Sequence, residues 1–261
     1  MTFAFAAGPF FAFMLALVRA SAWLAFVPPF SSSAIPQVVR LGLAAALSLA
    51  ATSQLSHAPG LARSVTTLST AGFISDLVLQ AATGCVLGFI TSVLLSVLSA
   101  AGSLTDMTSG LAAATIFDPI SGTANPVTAN VYNVIMTTLL FATGGDLLIV
   151  KGFMTSFQAV GLSAKSVGLL GTTLLTEVGF FFLAAVEIAA PVLGAMFLAY
   201  VAFGLLTRSA PQLNVMSLGF ALNIALALVV VAACLPMLPG ALSTLVDRAV
   251  TDTLGLLGIS P

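Results

Sequence analysis

The chain has 261 residues, of which 7 are Lys or Arg and 8 are Asp or Glu, so 6% are charged and 59% are hydrophobic. A soluble domain carries about 25% charge, and with a mean hydropathy of +1.18 this chain has too little polar surface to cover a water-soluble fold. Composition therefore excludes a soluble globular enzyme and a disordered chain. A net charge of -1 also excludes a nucleic-acid binder, which needs a basic footprint. What remains is an all-α integral membrane protein. Its length allows roughly five to seven crossings of about 20 residues, or about six to eight helices once kinked and broken ones are counted.

No Lys or Arg precedes Arg19, so the start lacks the charged region of a signal peptide, and Met1–Val27 is expected to be a retained membrane helix. Pro28-Pro29 ends it, and the next helix is expected over about Gln37–Leu55, after Pro36. A polar loop follows over Ser56–Thr70, with the chain's one histidine, His57. The apolar run then predicts one long helix over Phe73–Leu104. Asp106–Thr128, rich in Gly, Asp, Pro and Asn, is expected to be irregular. A helix over about Ala129–Ala142 is broken by Gly144-Gly145. The short stretch Asp146–Val160 then reads as an amphipathic helix with Leu147, Val150, Met154 and Phe157 on its apolar face, re-entrant or packed on protein.

Gly168–Thr207 is too long for one simple crossing, and Pro191 is expected to kink or split it. A polar break at Arg208–Ser217 precedes an apolar helix over Leu218–Leu235. Pro236 and Pro239 then introduce a C-terminal amphipathic helix near 242–257, with Asp247, Arg248 and Asp252 opposite its apolar face. The whole of 1–261 reads as a single membrane domain.

The ionisable residues are the natural candidates for function, because a charge at membrane depth must face protein, water or the interface. Arg19 either snorkels from a helix end or is buried against another helix. Glu177 and Glu187 lie ten residues apart on nearly one helix face, and with Asp76 and Asp106 they suggest an acidic relay for a small proton- or ion-coupled transporter. No catalytic constellation is present: there is no Gly-x-Ser-x-Gly elbow, P-loop or dinucleotide fingerprint. Cys85 and Cys234 lie in apolar runs with no metal-ligand spacing, so no metal or other cofactor is expected. Gly84 and Gly88, four residues apart, permit close helix approach either within the chain or to other subunits.

Three stretches resemble the FliR/SctT family of type III export-gate proteins. The first runs from Arg19 through Pro28-Pro29 to Ile35-Pro36-Gln37-Val38-Val39-Arg40-Leu41-Gly42. The second includes Gly110-Leu111-Ala112, Phe117-Asp118-Pro119, Asn125-Pro126, Gly144-Gly145 and Ser156-Phe157. The third and most specific is Arg208-Ser209-Ala210-Pro211-Gln212-Leu213-Asn214-Val215-Met216-Ser217-Leu218-Gly219-Phe220. Asp146, where the family usually has His, Ala221, where it often has Pro, and Asp106 depart from the pattern.

The resemblance implies a non-enzymatic subunit of a hetero-oligomeric export gate rather than a simple lipid-embedded bundle. It implies assembly with FliP- and FliQ-like subunits, with FlhB- and FlhA-like proteins nearby, in the bacterial inner membrane at the flagellar basal body. Unfolded flagellar proteins would pass through the centre, and a flagellar system is expected over an injectisome. The segment bearing Asp106, Gly110, Phe117, Asp118, Pro119, Gly122 and Asn125 is expected to form a plug across the closed pore. Arg19, Pro36, Arg40, Gly145, Asp146, Arg208, Pro211, Gln212 and Asn214 are expected to make subunit contacts or mark helix breaks.

Overall fold

The computed structural model describes residues 2–32, 35–55, 70–112, 126–157, 164–209 and 215–256. These residues form nine α-helices: α1 (Thr2–Phe26), α2 (Gln37–Leu55), α3 (Thr70–Leu95), α4 (Val97–Ser109), α5 (Val127–Ala142), α6 (Gly145–Thr155), α7 (Ala164–Ser209), α8 (Val215–Cys234) and α9 (Leu238–Leu256). A 3-10 turn, Leu235–Met237, links α8 to α9. Among the described residues there is no strand, so the all-α expectation holds. Four stretches are long and apolar enough to cross a membrane: Pro9–Phe26, Gly72–Ser109, Leu174–Ser209 and Gly219–Gly255. α5 and α6 make a fifth candidate, bent by 73° at their junction.

The helix boundaries follow local chemistry in several places. Gly144 adopts φ +72°, a left-handed conformation that glycine takes without a Cβ penalty, and this ends α5 and opens α6. A cis Pro28-Pro29 bond lies in the turn between α1 and α2. Gly110, at φ +84°, caps α4.

Three expectations need correction. The single helix over Phe73–Leu104 is two helices, α3 and α4, divided at Ser96. Of the kink or split expected at Pro191, the split does not occur: α7 is one continuous helix of 46 residues, with Pro191 exposed on its surface. Apolar surroundings reward a continuous helix because a freed backbone carbonyl has no water to turn to. The buried face of α6 comprises Gly145, Ile149, Gly152 and Phe153, whereas Leu147 is 70% exposed. The helix is rotated from the expected face because Phe153 stacks on Trp23, with ring centroids 4.3 Å apart.

The chain forms two compact units. The first comprises residues 1–94, 144–177 and 245–261. Here α1 and α2 pack as a hairpin, and α3 closes on α1 through two glycines. A Cβ at Gly84 would lie 2.3 Å from the Arg19 carbonyl oxygen, and one at Gly88 would lie 2.8 Å from that of Trp23. The glycine pair therefore serves packing within the chain. Val250 of α9 sits over Gly152 of α6, where an added Cβ would meet its methyl groups at 3.3 Å. Trp23, Leu24, Leu87, Ile90 and Leu94 are fully buried in this unit.

The second unit comprises residues 95–143 and 178–244. Its tightest contact joins α4 and α5, where a Cβ on Gly102 would lie 2.6 Å from the Cα of Ala129. Tyr132, Met136 and Leu140 of α5 are buried with Leu98 and Ala101 of α4. Along α7 many large apolar side chains remain uncovered, among them Phe182, Leu183, Phe197 and Leu198. Lipid or protein must cover such a surface, since water would not.

Candidate functional site

The segment expected to act as a plug starts from the C-terminal end of α4 and returns at the N-terminal end of α5. Both ends are held within the second unit. Asp106 lies inside α4, 1% exposed, and not in the irregular segment where it was expected. Its carboxylate accepts hydrogen bonds from the N–H of Thr128 through both oxygens at 3.0 Å, and from that of Ala129 at 3.3 Å. These are among the first amides of α5, which have no intrahelical acceptor. Pro126, at the cap position of α5, makes no side-chain cap bond. A carboxylate from the neighbouring helix does the capping instead, and it also complements the positive helix end. This role explains why helical geometry continues through Asp106: α4 must present the carboxylate sideways to α5.

The far end of α4 is held from two other helices. The Tyr200 hydroxyl of α7 donates to the Thr108 carbonyl at 2.6 Å, one of the helix-end acceptors that lack an intrahelical donor. Gly110 faces the Phe220 ring of α8, and an added Cβ would lie 3.0 Å from it. Phe220 belongs to the third motif stretch and Gly110 to the second, so the structure brings these two together. Phe117, Asp118, Pro119, Gly122 and Asn125 lie outside the described residues, as do Pro211, Gln212 and Asn214.

Arg19 organises the first unit. It is 2% exposed. Nε donates to Gln80 Oε1 at 2.6 Å, and Nη1 donates to the Ser156 carbonyl at 2.9 Å. The guanidinium lies 4.7 Å from the centroid of the Phe157 ring. Of the two readings open from sequence, burial against other helices is the one realised. The charge sits at the C-terminal end of α6, where orphan carbonyls and the helix dipole favour a cation.

The remaining candidates mark helix ends. Pro36 immediately precedes α2, and its carbonyl accepts the N–H groups of Val39 and Arg40. Arg40 donates from Nη2 to the Ser32 carbonyl at 3.0 Å, tying the first turn of α2 to the preceding connection. Gly145 is buried at the start of α6, and Asp146 lies in its first turn, where an acidic group suits the helix N-terminus. Arg208 is exposed in the last turn of α7.

Of the acidic residues suggested as a relay, Asp106 caps α5, Asp76 is half-buried on α3 and Glu187 is exposed. Glu177 is 3% exposed and pairs with Arg248 of α9 at 3.4 Å, a contact that sequence reasoning missed by placing Arg248 on the polar side of its helix. Only the lone basic residue on that helix hinted at it. Among the described residues no three His, Cys, Asp or Glu side chains are placed to hold a metal ion.

Residues 10–249 match the family described as bacterial export proteins, family 1. The chain belongs to that family. The resemblance to FliR/SctT proteins is thus borne out. This export protein is 25% identical over 231 residues to the flagellar biosynthetic protein FliR of Bacillus subtilis (strain 168), covering 87% of each chain. It is 26% identical to FliR of Escherichia coli (strain K12), covering 85% of this chain and 83% of the relative. The surface presentation of antigens protein SpaR of Shigella sonnei is 26% identical over 151 residues, covering 58% of this chain and 59% of the relative.

Proposed function

We propose that this export protein is a pore-forming structural subunit of the flagellar type III protein export gate. In this reading it assembles with FliP- and FliQ-like subunits beside FlhB- and FlhA-like proteins in the bacterial inner membrane. The gate passes unfolded flagellar proteins, and this chain supplies no catalytic step. The observation that carries the reading is the match to FliR relatives over nearly the full length of both chains. Coverage also favours a flagellar system over an injectisome, since the SpaR match spans little more than half of each chain.

Within the gate, the segment that includes Gly110, Phe117, Asp118, Pro119, Gly122 and Asn125 acts as the plug. Support comes from its base, where Asp106, Tyr200 and Phe220 tie down the adjoining helix ends. A plug needs fixed ends so that its displacement does not unpack the helices beside it. Arg208, with Pro211, Gln212 and Asn214 beyond it, contacts neighbouring subunits, as do the exposed apolar residues of α7. The test is deletion within Gly110–Gly122 in the assembled complex. The deletion is expected to make the gate leak ions and small molecules, and unchanged permeability with normal assembly would refute the plug role.

A further inference from the structure

A group of ionisable side chains in the first unit is left unused by the export reading. Glu177, near the start of the apolar stretch Leu174–Ser209, is buried to 3% exposure. Its Oε1 lies 3.4 Å from Arg248 Nη2, while its Oε2 is buried with no hydrogen-bond partner among the described residues. The same guanidinium serves a second carboxylate: Arg248 Nε lies 3.2 Å from Asp252 Oδ2. Asp252 Oδ2, like Glu177 Oε2, is buried with no hydrogen-bond partner among the described residues. Among the described residues, Arg248 and Asp252, both from α9, are the charged groups of this cluster around Glu177.

Two carboxylates around one guanidinium leave one negative charge uncompensated in an apolar setting. Burying an unpaired charge is costly, and such groups neutralise instead. Two carboxyl groups can hydrogen-bond to each other only with a proton between them. We infer that Glu177, Asp252 and Arg248 form a binding site for a single proton shared between the two carboxyl groups. A proton from water adds to Glu177 Oε2, and the new O–H donates to the Asp252 carboxylate. Arg248 then balances the one charge that remains. The outer members of the site provide access, since the side chains of Arg248 and Asp252 are 32% and 24% exposed while that of Glu177 is 4% exposed. Proton uptake fastens α9 to the start of α7, and proton loss sets like charges against each other there.

Infrared difference spectroscopy of the full chain in lipid nanodiscs tests this. The wild type at neutral pH is expected to show the carbonyl band of a protonated carboxylic acid, shifted in heavy water. Glu177→Gln is expected to abolish the band. Asp252→Asn is expected to abolish it too, because Arg248 alone then neutralises an ionised Glu177. Asp252→Asn also provides the test if Glu177→Gln fails to fold. Glu187→Gln, at an exposed position, is expected to leave the band in place. A band absent from the wild type, retained in Glu177→Gln or Asp252→Asn, or lost in Glu187→Gln would overturn the proposal.

Discussion

Asp106→Ala provides a sharp test of how the second unit is held together. The substitution removes the one side chain that caps the first turn of α5 among the described residues, leaving the N–H groups of Thr128 and Ala129 buried without that acceptor. Loss of an N-cap costs about 0.5–2 kcal/mol. A buried hydrogen bond to a charged group contributes about 1.5–3 kcal/mol, and an anion at a partly buried helix end up to about 2 kcal/mol. These figures describe overlapping parts of one interaction, so they do not add in full. A local loss of about 2–3 kcal/mol is expected, equivalent to roughly a 30- to 150-fold change in an opening equilibrium. Amide hydrogen exchange in the assembled complex reads this directly. Exchange at Thr128 and Ala129 should accelerate by that factor, while the end of α5 near Leu140 changes little. Asp106→Asn retains an acceptor but loses the charge, so a smaller acceleration is expected, corresponding to about 1 kcal/mol. Unchanged exchange at Thr128 and Ala129 in a folded Asp106→Ala protein would refute the capping argument.

Two further substitutions probe the first unit. Gly84→Val places a Cβ 2.3 Å from the backbone carbonyl of Arg19 and should destabilise by about 1–3 kcal/mol or more through overpacking. As a control from the second unit, Gly194→Ala, where nothing lies within 4 Å, should not lower stability, and equal denaturation midpoints for Gly84→Val and this control would contradict the packing account. Arg19→Lys retains the charge but loses the planar fork that reaches Gln80 and Ser156 together. A loss of about 1.5–3 kcal/mol is expected, seen as a lower denaturation midpoint, and wild-type stability would show that the fork is not required.

The surface left by this fold refines the meaning of the low charge count. Phe182, Leu183, Phe197 and Leu198 on α7, and Leu228 and Val229 on α8, are exposed in the isolated chain. Apolar composition shows that water is excluded from these faces. Lipid tails and the apolar surface of another subunit do this equally well, so the same residues suit either cover.

Much of the architecture is legible in the amino-acid order because its causes are local or compositional. With 6% charged residues the chain cannot form a water-covered globule. Pro28-Pro29 and Gly144 mark helix ends through their own backbone restrictions, and the helices stop where those residues stand. The motif stretches, Arg208–Phe220 above all, were enough to indicate the family. Pairings between helices were not legible. Arg19 meets Gln80 and Ser156, 61 and 137 positions away, and Glu177 meets Arg248, 71 positions away. Asp106 looked like the first residue of a loop and is a buried cap for another helix. Such contacts depend on how each helix is rotated about its axis and how closely its neighbour approaches. A soluble helix encodes its rotation in alternating apolar and polar faces. Helices as uniformly apolar as Val215–Cys234 carry almost no such signal. Their rotation is set by a few small residues and single polar groups, and those find their partners only when the chain is folded.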